Sequence, residues 1–215
     1  MAKLHFYYSA MNAGKSTTLL QSNYNYCERG MDTLLFVPEV DTRDGIGMIS
    51  TRIGLKANAI VLADDFNVFQ HTAQALQKNS NIKCVLIDEA QFMTKAQIKQ
   101  LCSITDQLNI PVLAYGLRSD YRGEPFEASK YLLAWADILI ELKTICHCGR
   151  KATMNLRIDM HGNPIRDGNP ICIGGNEQYI ATCRKHFYEG KGTPETESLG
   201  PPLSGRFIDS SDNLT

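Results

Sequence analysis

The chain has 215 residues, of which 43% are hydrophobic and 21% charged, and its 22 basic side chains nearly balance 23 acidic ones. This average composition excludes a disordered chain, and it excludes binding to nucleic acid through a general excess of positive charge. No apolar run approaches the roughly 20 residues that span a bilayer, and the length suits one large domain with a small appendage.

The first two thirds of the sequence alternate between predicted strands and helices. In chain order we predict a strand at residues 4–8, a helix at 15–29, a strand at 33–37, a loop at 41–54, a strand at 59–62, a helix at 65–77, a strand at 82–87, a helix at 95–108, a strand at 110–117, a helix at 127–136 and a strand at 138–142. The run at 82–87 is apolar almost without interruption, which is typical of a parallel strand buried on both faces. The pattern predicts an α/β domain over residues 1–142, with a mostly parallel sheet flanked by helices.

The pattern changes after residue 143. Short β-like pieces at residues 151–158 and 170–173 are separated by Gly, Pro, Asn and Cys, which predicts a small domain of hairpins over residues 143–189. Residues 190–215 are rich in Gly, Pro, Ser and acidic side chains, so we expect a flexible C-terminal tail.

The cysteines indicate a reducing compartment. The N-terminus lacks the basic segment, apolar stretch and cleavage site of a secretory signal, so we expect a cytoplasmic protein with reduced thiols. Of the seven cysteines, we expect Cys27, Cys84 and Cys102 to be small buried hydrophobic residues.

A phosphate-binding motif lies between the first predicted strand and the first predicted helix. It comprises Ser9, Ala10, Met11, Asn12, Ala13, Gly14, Lys15 and Ser16. The P-loop pattern is Gly, four residues, then Gly-Lys-Ser/Thr, and here Ser9 replaces the first glycine. In such loops backbone N–H groups bind phosphate oxygens, the lysine reaches the β- and γ-phosphates, and the hydroxyl ligates Mg²⁺.

An acidic pair, Asp88 and Glu89, ends the buried strand at 82–87. Because ligands of parallel sheets bind at the carboxyl ends of the strands, we expect this pair beside the phosphate loop. Asp88 then has the position of a Mg²⁺ ligand, and Glu89 is available to orient or deprotonate a nucleophile. The sequence lacks the Asn-Lys-x-Asp motif of a GTPase switch, so the open question is whether water or a substrate hydroxyl attacks the triphosphate.

The hairpin region carries a predicted structural Zn²⁺ site. Two close pairs about 35 residues apart supply Cys146, Cys148, Cys183 and His186, with His147 as an alternative ligand. Four such ligands leave no open position for catalysis, and the metal can hold together a region with little core. Between the pairs, Gly174-Gly175 and Tyr179 are consistent with a simple turn or, next to a nucleotide site, with a lid that excludes water.

Five segments together resemble one kinase family. They are Tyr-Tyr-Ser-Ala-Met-Asn-Ala-Gly-Lys-Ser at 7–16, Asp-Glu-Ala-Gln-Phe at 88–92, Tyr-Gly-Leu-Arg-Ser-Asp-Tyr-Arg-Gly-Glu-Pro-Phe at 115–126, Cys-His-Cys-Gly-Arg-Lys-Ala at 146–152 and Ile-Gly-Gly-Asn-Glu-Gln-Tyr at 173–179. Over residues 3–188 the chain resembles the zinc-containing thymidine kinases of bacteria and animal cytosol, in their enterobacterial form. The fold that this resemblance implies is a P-loop NTPase-like domain with a zinc-bound hairpin domain, or lasso.

The resemblance implies transfer of the γ-phosphate of ATP to the 5′-hydroxyl of thymidine, a step of pyrimidine salvage. Glu89 then matches the family's general base, Arg43 matches an arginine near the phosphates, and Ala90 and Gln91 join the nucleotide-binding set. The implied thymidine contacts are Met11, Phe92, Leu117, Tyr121 (in place of a phenylalanine), Phe126, Pro170, Ile171, Cys172, Ile173, Gly174 and Tyr179. A homotetramer and feedback inhibition by thymidine triphosphate (dTTP) are also implied by resemblance alone.

Two alternatives remain open at the level of sequence. One is a kinase of another deoxynucleoside with the same machinery. The other is an ATP-driven switch or binding module whose zinc hairpins dock a partner. Dependence of ATP consumption on a particular nucleoside separates these alternatives from thymidine phosphorylation.

Overall fold

The structure is a computed structural model that describes residues 1–41, 45–167 and 179–192. Six strands form one sheet in the order β5-β2-β6-β7-β1-β8, and every pairing within it is parallel. They are β1 (Leu4–Ser9), β2 (Asp32–Pro38), β5 (Ile60–Leu62), β6 (Ile82–Ile87), β7 (Val112–Leu117) and β8 (Ile138–Glu141). The predicted mostly parallel sheet is therefore confirmed.

Helices cover both faces of this sheet. They are α1 (Lys15–Glu28), α2 (Val68–Lys78), α3 (Lys95–Leu108) and α4 (Glu127–Trp135). In β6, Val85 and Ile87 enter one core with α2, α3 and α4, whereas Cys84 and Leu86 enter a second core against α1. This two-sided burial explains why β6 is apolar at successive positions.

Sequence signals set the starts of α2 and α3. The Asn67 side chain accepts a hydrogen bond from the backbone N–H of Gln70, which caps α2. Thr94 and Gln97 form a reciprocal capping box at the start of α3. Such caps satisfy backbone N–H groups that have no partner within the helix. The helix predicted at 65–77 begins later because its cap is at Asn67.

One predicted loop contains a hairpin. Strands β3 (Met48–Ser50) and β4 (Lys56–Asn58) pair antiparallel, so the prediction of an irregular loop throughout 41–54 is wrong at 48–50. The buried Ile49 packs in the core on the α1 side of the sheet, and this contact compensates for a polar, Gly-containing sequence. Arg52 lies at the hairpin turn and donates a hydrogen bond to Asn12 of the phosphate loop, at 2.7 Å.

A second region follows the sheet, and we call its described residues, 143–167 and 179–189, the hairpin unit. It contains β9 (Thr144–Ile145) paired with β10 (Lys151–Ala152), β11 (Met154–Arg157) paired with β12 (Tyr179–Thr182), and α5 (Arg184–Glu189). The predicted strand at 151–158 is divided at Thr153, and the short helix α5 was not predicted. The predicted piece at 170–173 and the tail beyond residue 192 lie outside the described residues.

The described cysteines differ in burial. Cys84 is buried and Cys102 is half-buried, as expected of residues facing a core, but Cys27 is exposed. The expectation of a buried Cys27 is wrong because this residue lies on the solvent side of the last turn of α1. No helix in the described part of the chain has the length and apolar character that a bilayer-spanning segment requires.

Candidate functional site

The predicted phosphate loop connects β1 to α1 at the carboxyl edge of the sheet. Asn12 and Gly14 have φ angles of 63° and 79°, which turn the backbone sharply before the first helical turn. Gly14 takes this left-handed conformation without steric cost. Ser9 is not among the described residues with positive φ, so the loop does not need a glycine at that position.

The Lys15 amine is buried within this loop. It donates hydrogen bonds to the Ser9 hydroxyl at 3.1 Å and to the Ala10 carbonyl at 3.3 Å, and the Ser9 hydroxyl in turn donates to Ala10 at 2.6 Å. Ser9 therefore does more than substitute for glycine, because its side chain helps to hold the lysine charge where the loop curves. The amine is placed to act as a point charge on a phosphate group.

The acidic pair ends β6 in buried surroundings. The backbone N–H of Asp88 donates to Phe36 of β2 at 3.0 Å, which extends the pairing of β2 and β6 to this position. The Asp88 carboxylate accepts a hydrogen bond from the backbone N–H of Glu89 at 3.0 Å. The Ser16 hydroxyl lies near enough to this carboxylate to act on its pKa, so the two predicted Mg²⁺ ligands are neighbours.

Burial dominates the electrostatics of Asp88. Burial, followed by the neighbouring Glu89 charge, raises the pKa of Asp88 to about 7, while Ser16, the Glu89 N–H and Lys15 act in the opposite direction. The raised pKa indicates that the surroundings of the Asp88 carboxylate hold too little positive charge to stabilise its ionised form. A bound divalent cation would supply that charge. The oxygen donors of Asp88 and Ser16 are the type that Mg²⁺ prefers.

Glu89 is itself buried and has an unusual backbone conformation. Its φ of 47° is left-handed, which a non-glycine residue adopts only where its surroundings hold it in place. A short 3₁₀ turn, Ala90–Phe92, follows at once, and Gln91 within it donates a hydrogen bond to the Glu89 carboxylate. The structure thus places Gln91 against the acidic side chain.

The aromatic residues of the predicted thymidine pocket form two contacts. Phe92 and Phe126 meet edge to face with ring centroids 5.7 Å apart, and Tyr121 meets Tyr179 in the same way at 6.3 Å. The Arg157 guanidinium lies 5.3 Å from the Tyr121 ring centroid. Tyr121 is only 1% exposed, and its buried hydroxyl has no hydrogen-bond partner among the described residues.

Asp120 shapes the loop that carries Tyr121 and Phe126. Its carboxylate accepts hydrogen bonds from the backbone N–H groups of Arg122 at 2.9 Å and Glu124 at 3.0 Å, and it pairs with the Arg122 guanidinium at 2.8 Å. A single buried side chain therefore closes the turn. Sequence reasoning missed this role, although an Asp whose carboxylate accepts the backbone N–H two residues later is a known turn signal.

Asn155 links the hairpin unit to the phosphate loop and to the loop that carries Tyr121. From β11, its side-chain oxygen accepts the backbone N–H of Met11 at 2.8 Å, and its side-chain nitrogen donates to the Ser119 carbonyl at 2.9 Å. Its exposed fraction is 2%, so water does not compete for these bonds. Sequence reasoning missed this residue because its partners lie 144 and 36 positions away.

The four predicted zinc ligands meet in space. The ligand atoms of Cys146, Cys148, Cys183 and His186 all lie within 4.8 Å of one another. The Cys148 and Cys183 sulfurs are 3.9 Å apart, and the Cys146 sulfur is 3.3 Å from His186 Nδ1. Around a tetrahedral zinc, such atoms are separated by about 3.5–3.8 Å, so the cluster is nearly the right size for this ion.

His147 has a different place from the four. Its ring stacks on His186 with centroids 4.2 Å apart, and it does not belong to the ligand cluster. The backbone N–H of His186 lowers the pKa of the Cys183 thiol, which favours the thiolate that metal binding requires. Three thiols and one imidazole form a donor set that zinc prefers in structural sites.

Several predicted residues cannot be placed. Arg43 lies outside the described residues, as do Pro170, Ile171, Cys172, Ile173 and Gly174 of the predicted lid. The remaining predicted site residues are described. The phosphate-loop residues lie beside the acidic pair, the four predicted zinc ligands form their own cluster, and the aromatic residues form two ring pairs. Asn155 links Met11 of the phosphate loop to Ser119, two residues before Tyr121.

A P-loop after the first strand of a parallel sheet, with a buried acidic pair at its side, defines a P-loop nucleotide-binding protein. Comparison with known proteins narrows this class. The protein-family model described as "Thymidine kinase" matches residues 2–187. The chain therefore belongs to the thymidine kinase family.

Curated relatives named thymidine kinase match this chain over nearly their whole length. The chain is 67% identical over 193 residues to "Thymidine kinase" of Coxiella burnetii, covering 90% of this chain and 98% of that protein. It is 60% identical over 191 residues to "Thymidine kinase" of Legionella pneumophila strain Lens, covering 89% and 91%. The match to "Thymidine kinase" of Vibrio vulnificus strain YJ016 is 56% over 192 residues, covering 89% and 100%.

Proposed function

We propose that this protein transfers the γ-phosphate of ATP to the 5′-hydroxyl of thymidine, giving thymidine monophosphate. The observation that carries the proposal is the meeting of Lys15, Ser16, Asp88 and Glu89 at one edge of the sheet in a chain of the thymidine kinase family. Phosphoryl transfer is accelerated mainly by positioning and by stabilising charge, and these buried side chains are suited to both tasks.

At the phosphate end, backbone N–H groups of the loop and the Lys15 amine hold the triphosphate of ATP. The loop residues in this role are Ser9, Ala10, Met11, Asn12, Ala13, Gly14, Lys15 and Ser16. Ser16 and Asp88 would hold Mg²⁺, and the ion would supply positive charge that offsets the charge of the phosphate groups. The Arg43 cation is proposed to stabilise charge on the transferred group.

Glu89 is proposed as the general base. Its buried carboxylate ends β6 beside the phosphate loop, and it takes the proton from the 5′-hydroxyl as that oxygen attacks the γ-phosphorus. Burial keeps water away from the same carboxylate, which favours transfer to the nucleoside over hydrolysis of ATP.

The nucleoside end is proposed to be the aromatic group around Tyr121. We propose that the base contacts Met11, Phe92, Leu117, Tyr121, Phe126 and Tyr179, of which Phe92 and Phe126 form one ring pair and Tyr121 and Tyr179 another. Tyr121 is covered by Tyr179 and Arg157, so the base displaces part of this cover when it stacks on the ring. Residues 170–174 are proposed to complete the pocket through backbone contacts.

Zinc is proposed to have a structural role in a chain of two domains, residues 1–142 and 143–189, followed by a tail at 190–215. A homotetramer and feedback inhibition by dTTP are part of the proposal on family grounds. We also propose a cytoplasmic location, because three thiolate ligands need a reducing compartment to stay available for zinc.

The test is ADP formation with Mg²⁺ and thymidine, deoxyuridine, deoxycytidine or deoxyguanosine in turn. We expect the highest kcat/KM with thymidine and a loss of about 10–200-fold with deoxyuridine, which lacks one methyl group. Deoxycytidine and deoxyguanosine should be poorer still, because their hydrogen-bonding edges do not match. A preference for another nucleoside contradicts the proposed substrate, and ADP formation that ignores all four contradicts the kinase activity.

A further inference from the structure

Gln91 occupies an unusual position between the acidic pair and β7. It lies in the 3₁₀ turn Ala90–Phe92, and its exposed fraction is 3%. Its side-chain oxygen accepts the backbone N–H of Leu117 at 2.9 Å, and its side-chain nitrogen donates to the Glu89 carboxylate. One amide thus connects the end of a central strand to the proposed base.

The orientation of this amide follows from its neighbours. Strand β6 pairs with β7 only as far as Ala114, so Leu117 lies past the end of that ladder. A backbone N–H only donates, so the Leu117 N–H requires the amide oxygen of Gln91 to face it. The amide nitrogen must then face Glu89, where a carboxylate oxygen accepts its hydrogen bond.

The glycine at position 116 is a second, independent sign of this arrangement. A Cβ atom on Gly116 would lie 2.9 Å from the Gln91 side-chain oxygen and 3.1 Å from the Gln91 backbone nitrogen. Both distances are shorter than ordinary van der Waals contact, so a side chain here would push the 3₁₀ turn away from β7. Glycine in the middle of a strand often marks such a close approach.

We propose that Gln91 is a positioning residue that fixes the Glu89 carboxylate relative to the sheet, rather than a nucleotide-binding residue. The inference rests on the proposed function, in which Glu89 receives the proton of the 5′-hydroxyl. Glu89 lies two residues past the end of β6 and has a left-handed backbone, so the regular sheet does not orient its side chain. Gln91 supplies that orientation by linking the carboxylate to the β7 backbone.

The test is a double-mutant cycle with Gln91→Met and Glu89→Gln, measured with ATP, Mg²⁺ and thymidine. Methionine keeps the length and most of the volume of glutamine but lacks both hydrogen bonds. We expect Gln91→Met alone to lower kcat about 10–100-fold, with both KM values within about twofold of wild type. In the Glu89→Gln background the same change should alter kcat by less than about twofold, because there is no base left to position.

Two controls keep this test decisive. Gln70→Met changes an exposed glutamine on α2 and should leave kcat and both KM values unchanged. Gly116→Ala leaves the Gln91 side chain intact but displaces it, so it should reproduce the kcat loss and its dependence on Glu89. If Gln91→Met does not yield folded protein, Gly116→Ala replaces it in the double-mutant cycle.

Other results would overturn the inference. A raised KM for ATP with unchanged kcat would return Gln91 to the nucleotide-binding set. An equal loss of kcat in the wild-type and Glu89→Gln backgrounds would indicate a general structural role. Near-normal turnover of Glu89→Gln alone would instead reject Glu89 as base, which is a failure of the proposed mechanism and is distinguishable from both.

Discussion

The α/β domain and the hairpin unit position their parts of the candidate site by different means. The α/β domain buries large side chains on both faces of a six-stranded sheet, with Phe6 and Phe36 on one face and Tyr115 on the other. The hairpin unit has two small clusters, one made of Cys146, Ala152 and Cys183 and the other of Met154, Leu156 and Phe187. Packing therefore sets the positions of the α/β residues, whereas we propose that the hairpin unit's part of the nucleoside end depends on the Cys/His cluster and on single hydrogen bonds such as those of Asn155.

This comparison predicts that perturbations separate the two ends. Changes in the acidic pair should abolish chemistry while nucleoside binding survives. Changes in the hairpin unit should weaken nucleoside binding first and ATP binding less.

The largest effect is expected from Glu89→Gln. Loss of a general base lowers kcat by about 10²–10⁴-fold, whereas the binding of ATP and thymidine should change little because the amide keeps the shape of the carboxylate. Steady-state kinetics and calorimetric titration of each ligand measure the two effects. Turnover near the wild-type value would show that Glu89 is not the general base. Loss of both ATP and thymidine binding would indicate a folding defect.

Removal of zinc tests whether the hairpin unit supports the nucleoside end of the site. Cys183→Ser should reduce the metal content from about one zinc per chain to almost none, because a closed four-ligand site loses a thiolate. Thymidine KM should then rise about 10–100-fold, a range typical of damage to a metal site, with a smaller change for ATP. Elemental analysis and kinetics provide the measurement.

The chain offers a matched control for this change. Cys27→Ser alters an exposed cysteine far from the ligand cluster and should leave zinc content and kinetics unchanged. Cys183→Ser protein that lacks zinc but keeps wild-type thymidine kinetics would show that the metal does not support the nucleoside end.

Asn155→Leu breaks the connection between the two regions. It leaves the Met11 N–H and the Ser119 carbonyl buried without partners, and each such group costs about 1–3 kcal/mol. We expect kcat/KM for thymidine to fall about tenfold or more, with correct folding verified by circular dichroism. Asn155→Asp keeps the acceptor for Met11 but loses the donor to Ser119, so its loss should be intermediate. Wild-type kinetics for both variants would contradict a connecting role.

The smallest effect concerns the stability of metal-free protein. Burial raises the pKa of Asp88 above its value of about 4 in an unfolded chain, so its ionisation opposes folding increasingly as pH rises from about 4 to about 7 and fully above that. In EDTA, Asp88→Asn should therefore raise the free energy of unfolding at pH 8 by about 1–3 kcal/mol, and by less at pH 5. Denaturant titration at both pH values tests this, and destabilisation at pH 8 would contradict it.

The parts of the fold that local sequence determines were predictable. The apolar run of β6 and the Gly-Lys-Ser start of α1 are set by burial on two faces and by loop geometry, and both were confirmed. The hairpin at 48–58 was missed in part because its pairing depends on the burial of Ile49 against a distant core. Cys27 was misassigned because its helix gives a weak indication of which face is buried.

The candidate site was predictable for residues with distinctive chemistry and not for residues that only connect them. The four zinc ligands stand out by spacing and by type, and the structure brings them together. Asn155 and Asp120 are ordinary polar residues until the fold supplies their partners, which lie elsewhere in three dimensions. The contact of Gln91 with Glu89 is local in sequence. The second hydrogen bond of Gln91, from the Leu117 N–H, depends on how β6 and β7 are paired in the sheet.

The central claim is that the γ-phosphate of ATP goes to thymidine and not to water, and ³¹P nuclear magnetic resonance of the reaction mixture tests it most directly. With protein, ATP, Mg²⁺ and thymidine, the account predicts that a phosphomonoester resonance coupled to the 5′-methylene protons grows in step with ADP, with almost no inorganic phosphate. Inorganic phosphate formed at the same rate with and without thymidine would contradict the account.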